Sequence, residues 1–505
     1  MCEEESMAST VVAIDLGASS GRVLAGTLSA DRLEVAECSR FPNGPVRVPN
    51  GQAYDLEWDI LFLWQGICAG LTEAARRGPI ESIGIDSWAV DYGLLDADGR
   101  LMGNPSAYRS NRTEEAVESF HEQIGHEALY QLNGIQFQPF NTIYQLIADR
   151  STTRGVNASS ILMLPDLVAY WLTGERVCEV TNASTTGLID PTTRTWAPDL
   201  IRALHDGCDV QVPDILPPLV EAGEIVGDVT LPGVDLQNSS HAPTKLVAVG
   251  SHDTASAVVA VPASTGVNFG FISSGTWSLV GTELSSPVLS QASQRANFTN
   301  ELGVDGTVRY LKNIMGMWVQ QECLREWQES DMRNMSWKVL DAETENCEPF
   351  RTLIDVNDDV FLAPGDMLAR IDQWACSHGE PIPRNRGEYL RTITDSLVVA
   401  YRRALREMQE LTDERIDVIH LVGGGSKNRL LCQLTADATG LPLLAGPVEG
   451  TAIGNMAVQL RAIGAIEGGL NEIRTLIKKS VASVRYEPTA GEFSLWDSAE
   501  RRVFG

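Results

Sequence analysis

The sequence contains no apolar run approaching the ~20 residues that a membrane helix needs, so neither a spanning α-helix nor a membrane partner is expected. Its nine cysteines are scattered from Cys2 to Cys432 without a Cys-x-x-Cys pair, which excludes a disulfide framework and a zinc ribbon. Basic residues are scarce: 39 Lys and Arg stand against 67 Asp and Glu, a net charge of −28. A surface that acidic repels nucleic acid and anionic lipid. The opening Met1-Cys2-Glu3-Glu4-Glu5 is acidic, the reverse of a secretory leader, and the cytoplasm is the expected compartment. No Gly-x-x-x-x-Gly-Lys-Ser/Thr P-loop occurs.

What is present is a long, ordinary globular chain of 505 residues, 43% hydrophobic and 21% charged, enough for two or three domains. Gly250 to Ala257 organises it. Leu246-Val247-Ala248-Val249 reads as a buried strand, and the small residues after Thr254 suit a tightly packed helix. Asp253 therefore sits where a strand hands over to a helix, the place where open α/β sheets gather catalytic groups. A carboxylate there could accept a proton from a hydroxyl. It could equally cap the helix.

Two hairpins bear on that choice. Val11 to Ile14 is a strand running into Asp15-Leu16-Gly17-Ala18-Ser19-Ser20-Gly21-Arg22, with a second strand from Val23 to Leu28. Small residues at such a tip let backbone N–H groups approach an anion, though ordinary hairpins also end in Gly and Ser. Phe269 to Gly281 repeats the plan around Ser273-Ser274-Gly275-Thr276. The repetition reads as an internal duplication, with a phosphate-sized hairpin opening each half.

Between the hairpins, Trp58 to Arg77 has helical apolar spacing. Ile83 to Leu95 reads as two strands flanking Asp86, Trp88 and Asp91, and Trp beside Asp suits a sugar as well as it suits a buried turn. Helices are expected over Phe120 to Asn133, Thr142 to Arg150 and Asp166 to Leu172. Pro213, Pro217 and Pro218 mark irregular chain. In the second half, helices are expected over Met317 to Glu329 and Leu390 to Leu411. The strand Ile416 to Val422 ends in Gly423-Gly424-Gly425-Ser426-Lys427-Asn428, where a flat ring could lie against backbone and Lys427 could be a solvated loop charge. Gly450 opens what reads as the last substantial helix, and the tail from Glu487 reads as polar and peripheral.

These pieces in this order resemble the FGGY carbohydrate kinases of the actin-like ATPase superfamily, from about Val11 to about Arg461. The resemblance rests on Asp15 to Arg22, Ser82 to Asp86, Ser251 to Ala257, Ser273 to Leu279 and Lys312 to Gly316 together. It implies an α/β fold of two actin-like (ribonuclease H-like) domains flanking an interdomain cleft. Residues 1–261 would hold the sugar site, first phosphate hairpin and catalytic Asp; residues 262–505 would hold the second hairpin and the adenosine site. It further implies ATP and Mg2+ as cofactors, and L-rhamnulose as phosphoryl acceptor, with another ketose or a polyol as the alternative. Ala18, Ser19, Ser20, Gly21, Arg22 and Thr276 would hold phosphates, Asn313 and Gln321 the nucleotide, and Gly424 the adenosine. Asp15 would hold magnesium through water. Ala89, Asp91, His252 and Thr254 would bind sugar, with Asp253 both contacting it and acting as general base. Where the family pattern has glycine this chain has Ala89, whose methyl group intrudes slightly on the pocket. A catalytically inactive, sugar-responsive regulator on the same fold would often lose Asp15 or Asp253, and both are present. Phosphoryl transfer needs positioning and charge stabilisation, and two hairpins with two carboxylates supply that set.

Overall fold

The computed structural model describes residues 9–505 except 52, 211–214, 331–335, 490 and 492, and except the side chains of 329 and 330. Pro213 thus lies outside the described residues. The chain divides into two units. The first comprises the residues up to Thr265 together with Glu283–Tyr310 and Gly450–Ala482; the second comprises Gly266–Thr282, Leu311–Glu449 and Ser483–Gly505.

In the first unit, β1 (Ser9–Leu16) pairs antiparallel with β2 (Ser20–Ser29), which continues to β3 (Arg32–Pro42). On its other side β1 pairs parallel with β4 (Ser82–Ser87). Two more strands, β5 (Ile225–Asp228) and β6 (Lys245–Val247), complete the order β5-β6-β4-β1-β2-β3. Val11 to Ile14 are fully buried, as a continuous apolar run in a parallel pair requires. Helix α1 (Ile60–Arg77), capped by Asp59, buries Ile60, Leu63, Ile67 and Leu71. Its Gly70 lies so close to Val23 that an added Cβ would sit 2.5 Å away. Parallel β6 leads through Gly250 into α2 (Asp253–Val259). The helix expected over Phe120 to Asn133 is two helices, Glu114–His121 and His126–Asn133. Extended Gly125 separates them and caps the second.

The second unit repeats this plan. Strand β7 (Phe269–Ser274) pairs antiparallel with β8 (Ser278–Leu284) and parallel with a later strand. After β9 (Val308–Ile314) and the long helix α3 (Arg386–Thr412) come that strand, β10 (Val418–Val422), then α4 (Arg429–Thr439) and β11 (Leu443–Ala445). The internal duplication read from the two hairpins is therefore visible in pairing and register.

The chain then returns to the first unit as α5 (Gly450–Ala462). Ala452, Met456 and Leu460 share a core with Val11, Ala13 and Val249. Helices α5 and α2 cross so closely that a Cβ on Gly454 would lie 1.8 Å from the Ser256 carbonyl oxygen. Helix α6 (Leu470–Ser480) follows, so α5 is not the last substantial one. Nor is the tail peripheral: after β12 (Val484–Tyr486), α7 (Phe493–Phe504) docks on α3. Arg402 meets Asp497 at 2.5 Å and Glu500 at 2.6 Å, and Trp496 packs edge-on against Phe350. Phe493, Trp496 and Ala499 form a stripe that the polar residues between them hide in a linear reading.

Among the described residues no helix is long and apolar enough to cross a membrane, and the eight described cysteines are free thiols.

Replacing Gly454 by Ala should force α2 and α5 apart and lower stability by about 1–3 kcal/mol, the usual cost of overpacking. The thermal midpoint of Gly454→Ala should fall. That of Gly44→Ala, where an added Cβ meets nothing within 4 Å, should not. Equal midpoints for the two variants would contradict the close crossing.

Candidate active site

Strands β1, β4 and β6 are parallel neighbours, so their carboxyl ends share one edge, and each delivers a carboxylate there. Asp15 lies on β1 in register with Asp86 on β4. Asp253 follows β6 as the first residue of α2. The loops beyond these ends run side by side: Ser87 N donates to Ser251 O at 2.9 Å, and Trp88 N to Leu16 O at 3.2 Å.

Asp15 is buried and ion-paired with Arg22 across the β1–β2 hairpin. Asp86 is fully buried. Its Oδ2 accepts from Asn455 Nδ2 on α5 at 2.5 Å, and its Oδ1 has no hydrogen-bond partner. Burial and the Asp15 charge push its carboxyl well above the ordinary range. A buried carboxylate oxygen left unbonded beside a second carboxylate is the oxygen donor set that a hard cation such as magnesium takes, with phosphates and waters completing its shell. The residues present therefore fit the group. Gly17 to Gly21 close the hairpin, with Gly17 N donating to Ser20 O at 3.0 Å and Ser19 exposed at the tip. Gly21 must be glycine, because a Cβ there would enter the Phe41 ring, 2.1 Å from its nearest atom.

Asp253 does not cap its helix. His252 occupies the cap position, no side chain caps α2, and Asp253 Oδ1 accepts from its neighbour Thr254 Oγ1 at 3.1 Å. The carboxylate keeps 31% of its surface open, which leaves it available to a ligand. Withdrawal from bulk water raises its carboxyl above the usual Asp value, against the opposing pull of His252 and Thr254.

Behind it, His252 is buried with Nε2 3.5 Å from Asp253 Oδ1. On its far side, Nδ1 lies 3.2 Å from Arg309 Nη1 and 3.1 Å from Glu301 Oε2. Arg309 and Glu301 are 3.0 Å apart. Sequence reasoning missed both. Both lie on strands that carry other polar residues, Glu301 in Thr299–Leu302 and Arg309 in β9, so nothing in the linear sequence singles them out.

The segment Trp88 to Asp91 forms a strained wall. Val90 has φ +68°, a conformation that costs a β-branched residue, and Thr142 Oγ1 and Gln145 Nε2 donate to its carbonyl at 2.7 and 3.2 Å. Asp91 is wholly buried. Its Oδ2 accepts from Trp58 Nε1 at 2.6 Å, Trp88 Nε1 at 3.0 Å and Tyr108 N at 3.3 Å, and its Oδ1 from Gln145 Nε2 at 3.0 Å. Burial still raises its carboxyl to about 6. The geometry puts Asp91 behind the two indoles, whose rings lie 4.3 Å apart, whereas the half-buried Ala89 reaches the surface. Asp91 thus orients this wall from behind.

In the second unit, the β7–β8 tip is gripped by the segment after β9. Met317 N donates to Gly275 O at 3.1 Å and Trp318 N to Thr276 O at 3.0 Å. Asn313 is the second-to-last residue of β9, and Gln321 lies in the first turn of helix Trp318–Ser330. The triple glycine packs against the end of β7. A Cβ on Gly423, whose φ is +85°, would come within 2.9 Å of Ser274 O, and one on Gly425 within 2.1 Å of Ser274 Oγ. Gly424 between them is exposed, with room for a Cβ 4.0 Å from Ser274 O, and Lys427 further on is exposed too. The structure thus gathers Asp15, residues 18–22, Ala89 and residues 252–254 within one unit, and Thr276, Asn313, Gln321 and Gly424 within the other. Among the described residues no group of three or more His, Cys, Asp or Glu forms a metal cage.

Residues 10–260 match the N-terminal domain of the FGGY family of carbohydrate kinases, and residues 270–463 match its C-terminal domain. The chain is 40% identical over 490 residues to rhamnulokinase of Bacteroides thetaiotaomicron, covering 96% of this chain and 97% of that one. It is 39% identical over 472 residues to rhamnulokinase of Bacillus subtilis, covering 93% of each. Among solved structures, Plasmodium falciparum glycerol kinase with ADP superposes with a TM-score of 0.75 at 14% identity, over 98% of this chain and 97% of that one.

Asp91→Ala should leave the Trp58, Trp88 and Tyr108 N–H groups without their acceptor, at about 1–3 kcal/mol for each orphaned donor. Its melting midpoint should fall well below that of the wild type. A variant as stable as the wild type would show that Asp91 does not hold the indoles.

Proposed function

The chain belongs to the FGGY family of carbohydrate kinases, and we propose that it transfers the γ-phosphoryl group of ATP to the 1-hydroxyl of L-rhamnulose. The observation that carries this reading is Asp253: an open carboxylate at a strand end, raised by its surroundings and excluded from helix capping. Identity near 40% along almost the whole chain to two proteins named rhamnulokinase supports the acceptor.

In this reading the Asp253 carboxylate takes the proton of the sugar hydroxyl as its oxygen attacks the γ-phosphorus. The bond from that phosphorus to the bridging oxygen breaks, and ADP departs. His252 and Thr254 hold the sugar, and Ala89 and the Trp88 wall bound its pocket. Residues 18–22 and Thr276 cradle phosphates through small tips and backbone N–H groups. Asn313, Gln321 and Gly424 receive the nucleoside. Asp15, with Asp86 beside it, would hold magnesium, which would neutralise phosphate charge. The cytoplasm, where MgATP is present and thiols stay reduced, is the proposed compartment.

A coupled assay of ADP release over L-rhamnulose, other ketoses and polyols tests the substrate. L-rhamnulose should give the highest kcat/KM, and a faster polyol would replace it as acceptor. Asp253→Asn should lower kcat by roughly 10²-fold or more while sugar binding survives. Near-wild-type turnover would remove Asp253 from the base role. The pH dependence follows from the direction of the shift. A base must be deprotonated, so kcat/KM falls as pH drops through the raised Asp253 value, with a midpoint above 3.8. An acid limb at or below that value would contradict it.

A further inference from the structure

We infer that Arg309 and Glu301 are positioning residues for this reaction, fixing the proton of His252 on Nε2, the nitrogen that faces Asp253. The inference rests on the kinase reading above and adds to it two residues from outside every motif.

An arginine guanidinium can donate a hydrogen bond and cannot accept one. Two arrangements fit His252 Nδ1: it accepts from Arg309 Nη1 at 3.2 Å, or it donates to Glu301 Oε2 at 3.1 Å; only the first leaves the hydrogen of a neutral imidazole on Nε2, where Asp253 faces it, and that is the arrangement inferred. Arg309 is wholly buried and cannot turn away: Nε donates to Leu302 O at 3.1 Å and Nη2 to Thr181 O at 3.5 Å. Glu301 compensates its charge from 3.0 Å. That same carboxylate lies 3.1 Å from His252 Nδ1. Without Arg309, Glu301 would claim a proton on Nδ1 and leave the bare Nε2 lone pair facing the Asp253 carboxylate. The ring would then turn away, and the base would lose its donor. Thr181 ties the arrangement to the backbone, since its Oγ1 accepts from His252 N at 3.3 Å and donates to Glu179 at 2.5 Å. Asp253, Glu179 and Glu301 are the acidic groups whose charge reaches Arg309.

The test has two arms. Wild-type protein labelled with nitrogen-15 histidine, its His252 signal assigned by loss in His252→Gln, should show Nδ1 unprotonated and Nε2 protonated at neutral pH. A ring protonated on Nδ1 overturns the inference, whatever any variant does. In the second arm, the double variant Glu301→Met/Arg309→Met removes the pair together, an exchange that buried ion pairs often tolerate without loss of stability. It should keep its melting midpoint and hold its KM for MgATP within about twofold, while kcat falls roughly 10²-fold, as expected when a reacting group is misplaced. Arg309→Lys, which keeps a donor and the charge, should recover kcat to within about tenfold of wild type. A folded double variant with wild-type kcat, or a folded Arg309→Lys no better than the double variant, overturns the inference. If wild-type protein releases no ADP with any sugar, the kinase reading fails, and the nitrogen-15 arm still decides the tautomer.

Discussion

Three acidic side chains, Asp15, Asp86 and Asp253, arrive at one edge of one sheet because β1, β4 and β6 run parallel, and the surrounding structure answers that concentration of like charge. Each carboxylate has its own compensation. Arg22 reaches back across the hairpin to Asp15. Asn455, on a helix that rejoins the unit after most of the second unit has been traversed, holds one oxygen of Asp86. His252, backed by Arg309, faces Asp253. The compensation is incomplete at Asp86 Oδ1 and at the open face of Asp253. Both are places where a bound ligand could complete the balance.

The glycines serve the same end. At Gly21, Gly423 and Gly425 there is no volume for a side chain, because Phe41 or Ser274 already occupies it. A Cβ on Gly424 would come no nearer than 4.0 Å to its neighbour, Ser274 O. A linear motif marks all of these alike, and the packing separates those that close the loop from the one that faces outward. Likewise Gly454 lets α5 approach α2, which sets the depth at which Asn455 meets Asp86.

What could be read from the residues was what repeats locally. The alternation of strand, small tip and strand located both hairpins, and the apolar run before Gly250 placed Asp253 at a strand end. What could not be read depends on contacts between segments far apart in the chain. His252 meets Arg309 57 residues away, and Asp86 meets Asn455 369 residues away. The donors that hold Asp91, from Trp58, Tyr108 and Gln145, come from three other segments. The tail helix was missed because its apolar stripe is thin, and α3 supplies the arginine that anchors it.

Transfer to a particular hydroxyl is the centre of this account, and the product itself tests it most directly. The enzyme would be incubated with MgATP and L-rhamnulose carrying carbon-13 at C1, and the product examined by phosphorus NMR. The account predicts a phosphomonoester signal split by coupling to the labelled carbon, growing in step with ADP. An unsplit phosphomonoester would place the phosphate on another hydroxyl. Inorganic phosphate alone would show a nucleotide hydrolase in place of a sugar kinase.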